Sequence, residues 1–183
     1  QNNSKLNYVE FKRVHLNLFD SMVSHSIFNR SRLKGHSSRV KNNRFVNMEK
    51  NARYYNEIIL GNNIIFSNNF VALSDISDGG EEVSTAMFNI KGSDVSMKRN
   101  EFRKSENSSN VKVFNIDKDG GENVNNIEIN KNNFNFTLPD NVLLIKNGSP
   151  MKLDMRNNYW GTTSEEYIES HIYDSGDDDS VGE

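Results

Sequence analysis

The chain has 183 residues, which is enough for one domain with a continuous core. Its formal net charge is -3, its hydrophobic fraction is 34%, and it has no cysteine, so disulfides, thiol nucleophiles and zinc–cysteine sites are excluded. No apolar run approaches the ~18 residues of a membrane span, so the sequence predicts none.

Along the chain, one short pattern recurs: two apolar residues on alternate positions, then Asn, then an aromatic residue two positions later. The first copy is weak because it lacks the Asn, and it consists of Val23, Ser26 and Phe28. Two partial copies follow, which are Val40, Asn43, Phe45 and Ile65, Asn68, Phe70. The three complete copies are Val95, Met97, Asn100, Phe102; Ile127, Ile129, Asn132, Phe134; and Leu153, Met155, Asn158, Trp160. A second apolar segment precedes each copy, and a third follows some of them. Each unit therefore reads as strand, turn, strand, turn, strand.

The repeat predicts a right-handed parallel β-helix. One unit has too little apolar surface to fold alone, so neighbouring units must cover it. The competing fold is an antiparallel β-sandwich, which gives no reason for Asn to recur two residues before an aromatic. The aromatic residues are separated by 17, 25, 32, 32 and 26 positions, as expected for fixed strands joined by loops of variable length. The first interval is short for a right-handed coil, which leaves the register before residue 40 open.

The recurring asparagines predict a structural ladder. An Asn at a turn tolerates the left-handed backbone region, and its amide can bond to equivalent amides at the axial spacing of about 4.8 Å. The predicted members are Asn43, Asn68, Asn100, Asn132 and Asn158.

The C-terminal segment carries the most specific local signal. Residues 157–163 read Asn-Asn-Tyr-Trp-Gly-Thr-Thr, and a predicted short helix follows, with Thr163 or Ser164 as N-cap. This stretch resembles the terminal rung and cap of bacterial parallel β-helix repeat proteins of the pectate-lyase-like superfamily. The resemblance implies β-helix rungs over residues 1–160 and a cap over 161–183, with Trp160 and the helix covering the end of the core.

Enzymes on this fold act on polysaccharides with charged side chains on one face. Lyases need Lys or Arg as base, and hydrolases need paired carboxylates. Glu128 and Asp154 point outward at equivalent positions of adjacent rungs and are the candidate catalytic pair. The alternative interpretation is that both are solvated strand residues.

A basic run in the first third of the chain is the candidate glycan-binding site, because residues 1–60 hold 11 Lys and Arg against four acids. Its candidates are Arg30, Arg32, Lys41, Arg44, Arg53, Tyr54 and Tyr55. The alternative is an ordinary solvated surface. Calcium is the candidate cofactor in the acidic loop at Asp174, Asp177 and Asp179, since hard cations prefer several carboxylate oxygens.

Three functions are compatible with this pattern. The first is a glycan-binding or display segment of a larger secreted or cell-surface protein, bacterial or from a phage, whose further domains lie outside this sequence. The second is the C-terminal part of a polysaccharide lyase or glycoside hydrolase. The third is a phage tail-fibre or tailspike fragment. Nucleic acid is not an expected partner, because residues 61–183 carry 21 acids against 11 bases and would repel phosphates.

Overall fold

The chain forms a parallel β-solenoid of three sheets. The computed structural model describes residues 4–48, 50–51, 54–55, 57–73, 87–104, 113–116, 124–136, 144–148, 151 and 153–173. Every strand pair within the three sheets is parallel, and the sheets contain six, six and seven strands. The predicted parallel architecture is therefore present.

The chain crosses the three sheets in the same order in each rung. The first two rungs contain β1 (Lys5–Asn7), β2 (Glu10–Lys12), β3 (His15–Phe19), β4 (Met22–Ser24), β5 (Ile27–Asn29) and β6 (Arg32–His36). The third and fourth contain β7 (Arg39–Lys41), β8 (Arg44–Met48), the hairpin β9 (Lys50–Asn51) and β10 (Tyr54–Tyr55), β11 (Ile58–Leu60), β12 (Ile64–Ser67), β13 (Phe70–Leu73) and β14 (Phe88–Ile90). The fifth to seventh contain β15 (Val95–Lys98), β16 (Glu101–Lys104), β17 (Phe114–Ile116), β18 (Ile127–Asn130), β19 (Asn133–Asn135), β20 (Ile145–Asn147), α1 (Glu165–Glu169) and β21 (Ile172–Tyr173).

The sheets are numbered by the order in which a rung visits them. Sheet 1 is β1-β4-β7-β12-β15-β18, sheet 2 is β2-β5-β8-β13-β16-β19, and sheet 3 is β3-β6-β11-β14-β17-β20-β21. In the last rung, Asp154 and Tyr159 extend sheets 1 and 2 by single parallel bridges to Glu128 and Asn133.

The sequence left the register of the repeat open before residue 40, and in the structure that register is regular. Lys5, Met22 and Arg39 are direct partners in sheet 1, so the first rungs repeat every 17 residues. Two-residue corners make this short rung possible. The corner between sheets 1 and 2 is two residues long in each of the first six rungs. The first residue of this corner has positive φ in all seven rungs, and these residues are Tyr8, His25, Asn42, Asn68, Arg99, Lys131 and Asn157.

The inward side chains form columns along the axis. The predicted column of Phe102, Phe134 and Trp160 is confirmed, because adjacent rings stack with centroids 4.8 Å apart at both steps. Phe11, Phe28 and Phe45 continue the column towards the N-terminus with centroids 4.7 and 4.5 Å apart.

The fourth rung corrects the predicted aromatic column. Val71, not Phe70, pairs with Phe45 and Phe102 and points inward. The smaller valine leaves space in the core, which two fully buried rings from the other sheets occupy. Phe66 lies 5.5 Å from Phe45 and 5.5 Å from Phe88, so the aromatic contacts continue through this rung.

The asparagine ladder runs through Asn43, Asn69, Asn100, Asn132 and Asn158. At each step the side-chain oxygen of one Asn accepts from the backbone N–H and the side-chain amide of the Asn one rung earlier, over 2.9–3.2 Å. The predicted member Asn68 is wrong, since Asn69 takes this place. The predicted left-handed backbone of the ladder residues is also wrong, because the residue before each of them has the positive φ.

The C-terminal helix begins as the sequence predicts. Ser164 is the N-cap of α1, and its hydroxyl accepts from the Tyr167 N–H over 3.2 Å. His171 follows the helix, is buried, and stacks on Tyr167 with ring centroids 4.1 Å apart. Within the described residues, no helix is long and apolar enough to cross a membrane.

Candidate functional site

Basic side chains line the corner between sheets 1 and 2. They are Lys41, Arg44, Lys98, Arg99 and Lys131, and together they are called the corner ridge. Lys41 and Lys98 end strands of sheet 1, and each pairs with Ser67 of the rung between them. Arg99 and Lys131 are corner residues, and Arg44 begins β8. From the third to the sixth rung, the corner ridge spans three axial repeats, roughly 14 Å.

The corner places these charges in solvent because of its geometry. A two-residue turn leaves room for one inward and one outward side chain. The second residue is the buried ladder Asn, so the first must project outward. Arg99 and Lys131 are therefore exposed, immediately before Asn100 and Asn132.

Most of the charge of the corner ridge is not neutralised locally. Lys98 pairs with Glu128, whose Oε2 lies 2.5 Å from its Nζ. Lys41, Arg99 and Lys131 have no carboxylate partner within the part of the chain that the structure describes. The corner ridge therefore presents an excess of positive charge along one straight edge of the solenoid.

The predicted basic run does not form one surface. Because a 17-residue rung turns once around the axis, sequence neighbours face different directions. Arg30 lies at the corner between sheets 2 and 3, Arg32 lies on sheet 3 and pairs with Glu57, and only Lys41 and Arg44 lie on the corner ridge. Arg53 lies outside the described residues, as do the side chains of Tyr54 and Tyr55, whose main chain forms β10.

Glu128 and Asp154 are adjacent on sheet 1, as predicted from the repeat. Each has its own cation, however. Asp154 accepts from Arg156 Nε at 2.9 Å and from Arg156 Nη2 at 3.1 Å, and these bonds lower the pKa of Asp154 to about 2. Such a carboxyl is ionised at neutral pH and does not act there as a proton donor. The arrangement is that of two surface ion pairs, Lys98–Glu128 and Arg156–Asp154.

The candidate calcium ligands Asp174, Asp177 and Asp179 lie outside the described residues. Within the described part of the chain, no three His, Asp or Glu side chains come together in a way that could hold a metal ion.

The sequence interpretation missed Lys98, Arg99 and Lys131. A signal for them exists in the sequence, because basic residues come one or two positions before three ladder asparagines: Lys41-Asn42-Asn43, Lys98-Arg99-Asn100 and Lys131-Asn132. Residues at equivalent offsets from a stacked position must themselves stack, so this repeated offset brings the charges together.

Comparisons with protein-family models, curated proteins and solved structures find no match for this chain.

Proposed function

We propose that this chain is a segment of a secreted or cell-surface right-handed parallel β-helix protein and that it binds an acidic glycan along the corner ridge. The observation that carries this proposal is the line of Lys41, Arg99 and Lys131 side chains, which come from the third, fifth and sixth rungs and have no carboxylate partner among the described residues. Single exposed charges contribute little to affinity, but a linear polyanion engages several at once. The placement outside the cell rests on the resemblance of residues 153–182 to the terminal rung and cap of pectate-lyase-like proteins.

The shape of the corner favours a linear ligand. Every connection across it from the first rung to the sixth is two residues long, so no inserted loop interrupts the edge in these rungs. The connections from sheet 2 to sheet 3 are much longer from the third rung onward, as between β13 and β14. An extended chain can lie along the corner ridge parallel to the axis and meet cations at the levels of the third, fifth and sixth rungs.

Binding is favoured over catalysis at the neighbouring acids. Glu128 and Asp154 are each held by a cation, and the lowered pKa of Asp154 opposes its use as the general acid of a glycosidase. In this proposal Glu128 and Asp154 are negative charges at the boundary of the positive surface on sheet 1, and they take no part in a reaction.

The C-terminal turn belongs to the same proposal as a cap. The Trp160 ring stacks on Phe134, and the two rings line a small cavity together with Phe136, Leu144, Tyr167, Ile168 and His171. A solenoid end without such cover exposes apolar side chains and unpaired strand edges. Trp160 and α1 would thus stop end-to-end association.

The test is binding of labelled polygalacturonate, followed by fluorescence anisotropy over a series of salt concentrations. The triple variant Lys41→Gln, Arg99→Gln and Lys131→Gln is expected to bind about tenfold more weakly than the parent and with a shallower salt dependence. The matched control is Lys34→Gln, Lys91→Gln and Lys146→Gln, which removes the same charge from exposed residues at sheet 3 and is expected to bind like the parent.

Three outcomes contradict the proposal. They are equal losses in the two triple variants, equally tight binding of the parent to uncharged dextran, and tighter binding to single-stranded polyuridylate than to polygalacturonate. The last outcome would identify a nucleic-acid interface.

A further inference from the structure

Phe70 is an aromatic side chain on the outside of the solenoid. It pairs with Arg44 on one side and Glu101 on the other, in the outward column of sheet 2, while its neighbour Val71 points into the core. Outward positions of a solvated sheet face are normally polar. The Phe70 ring is nevertheless only partly exposed, so neighbouring side chains contact it.

That contact is with two arginines from neighbouring strands. The guanidinium carbon of Arg44, on β8, lies 5.4 Å from the centre of the Phe70 ring, and that of Arg103, on β16, lies 5.6 Å from it. Both distances are within the range of a cation–π interaction. Because β13 lies between β8 and β16, the ring holds one guanidinium from the rung before it and one from the rung after it.

The two guanidinium groups keep free donors. Arg103 donates through Nε to Glu101 Oε1 at 2.6 Å, and within the described residues its two terminal nitrogens carry no further bond. The Arg44 side chain, a member of the corner ridge, is exposed. Since a guanidinium has five N–H donors in a planar fork, each arginine can still offer a pair of donors to a ligand.

We propose that Arg44 and Arg103, positioned by Phe70, form a carboxylate-recognition pair for a uronate-containing glycan. This inference rests on the proposed function of the corner ridge, which it refines. The guanidinium fork matches the two oxygens of a planar carboxylate, whereas a lysine supplies a point charge without that geometry. The strands that carry the two arginines are two axial repeats apart, about 10 Å, so a chain lying along the axis would present a different uronate to each.

The test separates geometry from charge. The double variant Arg44→Lys and Arg103→Lys keeps every charge but loses both forks, and Phe70→Leu keeps both arginines but removes the ring that positions them. Each is expected to bind polygalacturonate roughly tenfold more weakly, because charge-assisted bidentate bonds are lost. The slope of log affinity against log salt is expected to stay that of the parent, since the number of charges at the site is unchanged.

The matched control is Arg13→Lys with Arg39→Lys, two exposed arginines away from Phe70, and it is expected to bind like the parent. The melting midpoint of each variant reports whether it is folded, and the arginine variant still decides the matter if Phe70→Leu fails to fold.

The outcomes distinguish the two proposals. If the arginine variant binds as tightly as the parent while the corner-ridge triple variant is weakened, the recognition pair is overturned and the glycan-binding proposal stands. If the parent does not bind polygalacturonate, or the corner-ridge variant binds normally, both are overturned. A loss in the Arg13 and Arg39 control equal to that in the Arg44 and Arg103 variant also overturns the pair.

Discussion

Replacing Asn132 by leucine tests the ladder that sets the register of the solenoid. Asn132 is buried, and its side-chain oxygen accepts from Asn100 N–H at 2.9 Å and from Asn100 Nδ2 at 3.0 Å. Its own amide donates to Met97 O at 3.0 Å and to Asn158 Oδ1 at 3.2 Å. Leucine has the same number and branching of side-chain heavy atoms but is larger and can make none of these bonds, so the loss of stability combines the missing hydrogen bonds with tighter packing at a buried site.

The magnitude follows from the groups left without partners. The buried Asn100 N–H loses its acceptor, and the Met97 carbonyl and the Asn158 amide oxygen each lose a donor. A buried polar group without a partner costs about 1–3 kcal/mol. Because Met97 and Asn158 keep other hydrogen-bonding opportunities in the sheet and the ladder, we expect a loss of about 3 kcal/mol.

The assay is urea unfolding followed by circular dichroism, together with hydrogen exchange at the Asn100 amide. The variant should unfold at lower urea, and the Asn100 N–H should exchange faster than in the parent. The control is Asn133→Leu, an exposed neighbour on sheet 2 whose substitution should change stability by no more than about 0.5 kcal/mol. An unchanged unfolding midpoint in Asn132→Leu would refute the ladder as a source of stability.

Three further predictions address the register, the C-terminal end and the surface ion pair. Asn69→Leu should destabilise the chain by about 2–3 kcal/mol in the same urea assay, because Asn69 is a buried ladder residue. Asn68→Gly, at an exposed position with positive φ, should change the stability by less than about 0.5 kcal/mol. If Asn68→Gly were the more damaging substitution, the register predicted from the sequence would be the right one. Trp160→Ala should lower stability by about 2 kcal/mol by removing the stack on Phe134, while Trp160→Phe keeps a ring and should lose less, as a thermal melt would show. The Asp154 carboxyl should titrate near pH 2 by NMR and return towards its usual pKa of 3.8 in Arg156→Gln. Because the pKa of Asp154 is lowered in the folded state, its stabilisation of the fold is present above pH 3.8 and is lost as the pH falls towards 2. A titration of Asp154 near pH 3.8 in the parent would contradict the hydrogen bonds from Arg156.

The one-residue error at the ladder shows where sequence reasoning reaches its limit. Residues 68 and 69 are both Asn, and only the second is equivalent to Asn43 and Asn100. Because side chains alternate across a strand, the slip of one residue also exchanged Phe70 with Val71 between outside and inside. The sequence pattern fits either Asn and cannot show which one joins the ladder. The pairing of the strand with both neighbouring rungs shows that it is Asn69.

The basic site illustrates a second limit. Lys41 and Arg44 were found as part of a run in the sequence, but their spatial neighbours on the corner ridge come from residues 98, 99 and 131. Which charges meet depends on rung lengths of 17, 26, 31, 32 and 26 residues, and these vary with the loops. Composition had placed the positive charge in residues 1–60, yet the corner ridge draws most of its members from the acidic remainder of the chain.

The sequence by itself determined that this chain stacks short parallel strands, because alternating apolar residues, a recurring Asn and a following aromatic can be satisfied together only by neighbouring rungs. It also predicted that Trp160 stacks in one column with Phe134, from the repeat, and that a helix starts at Thr163 or Ser164, from the capping pattern. Tertiary structure alone decided which asparagine faces inward in the fourth rung, how Phe66 and Phe88 fill the space beside Val71, and which cations share an edge. These features depend on how distant rungs are aligned, and hydrogen bonding between strands fixes that alignment. The sequence does not reveal it, because the loops between the strands differ in length.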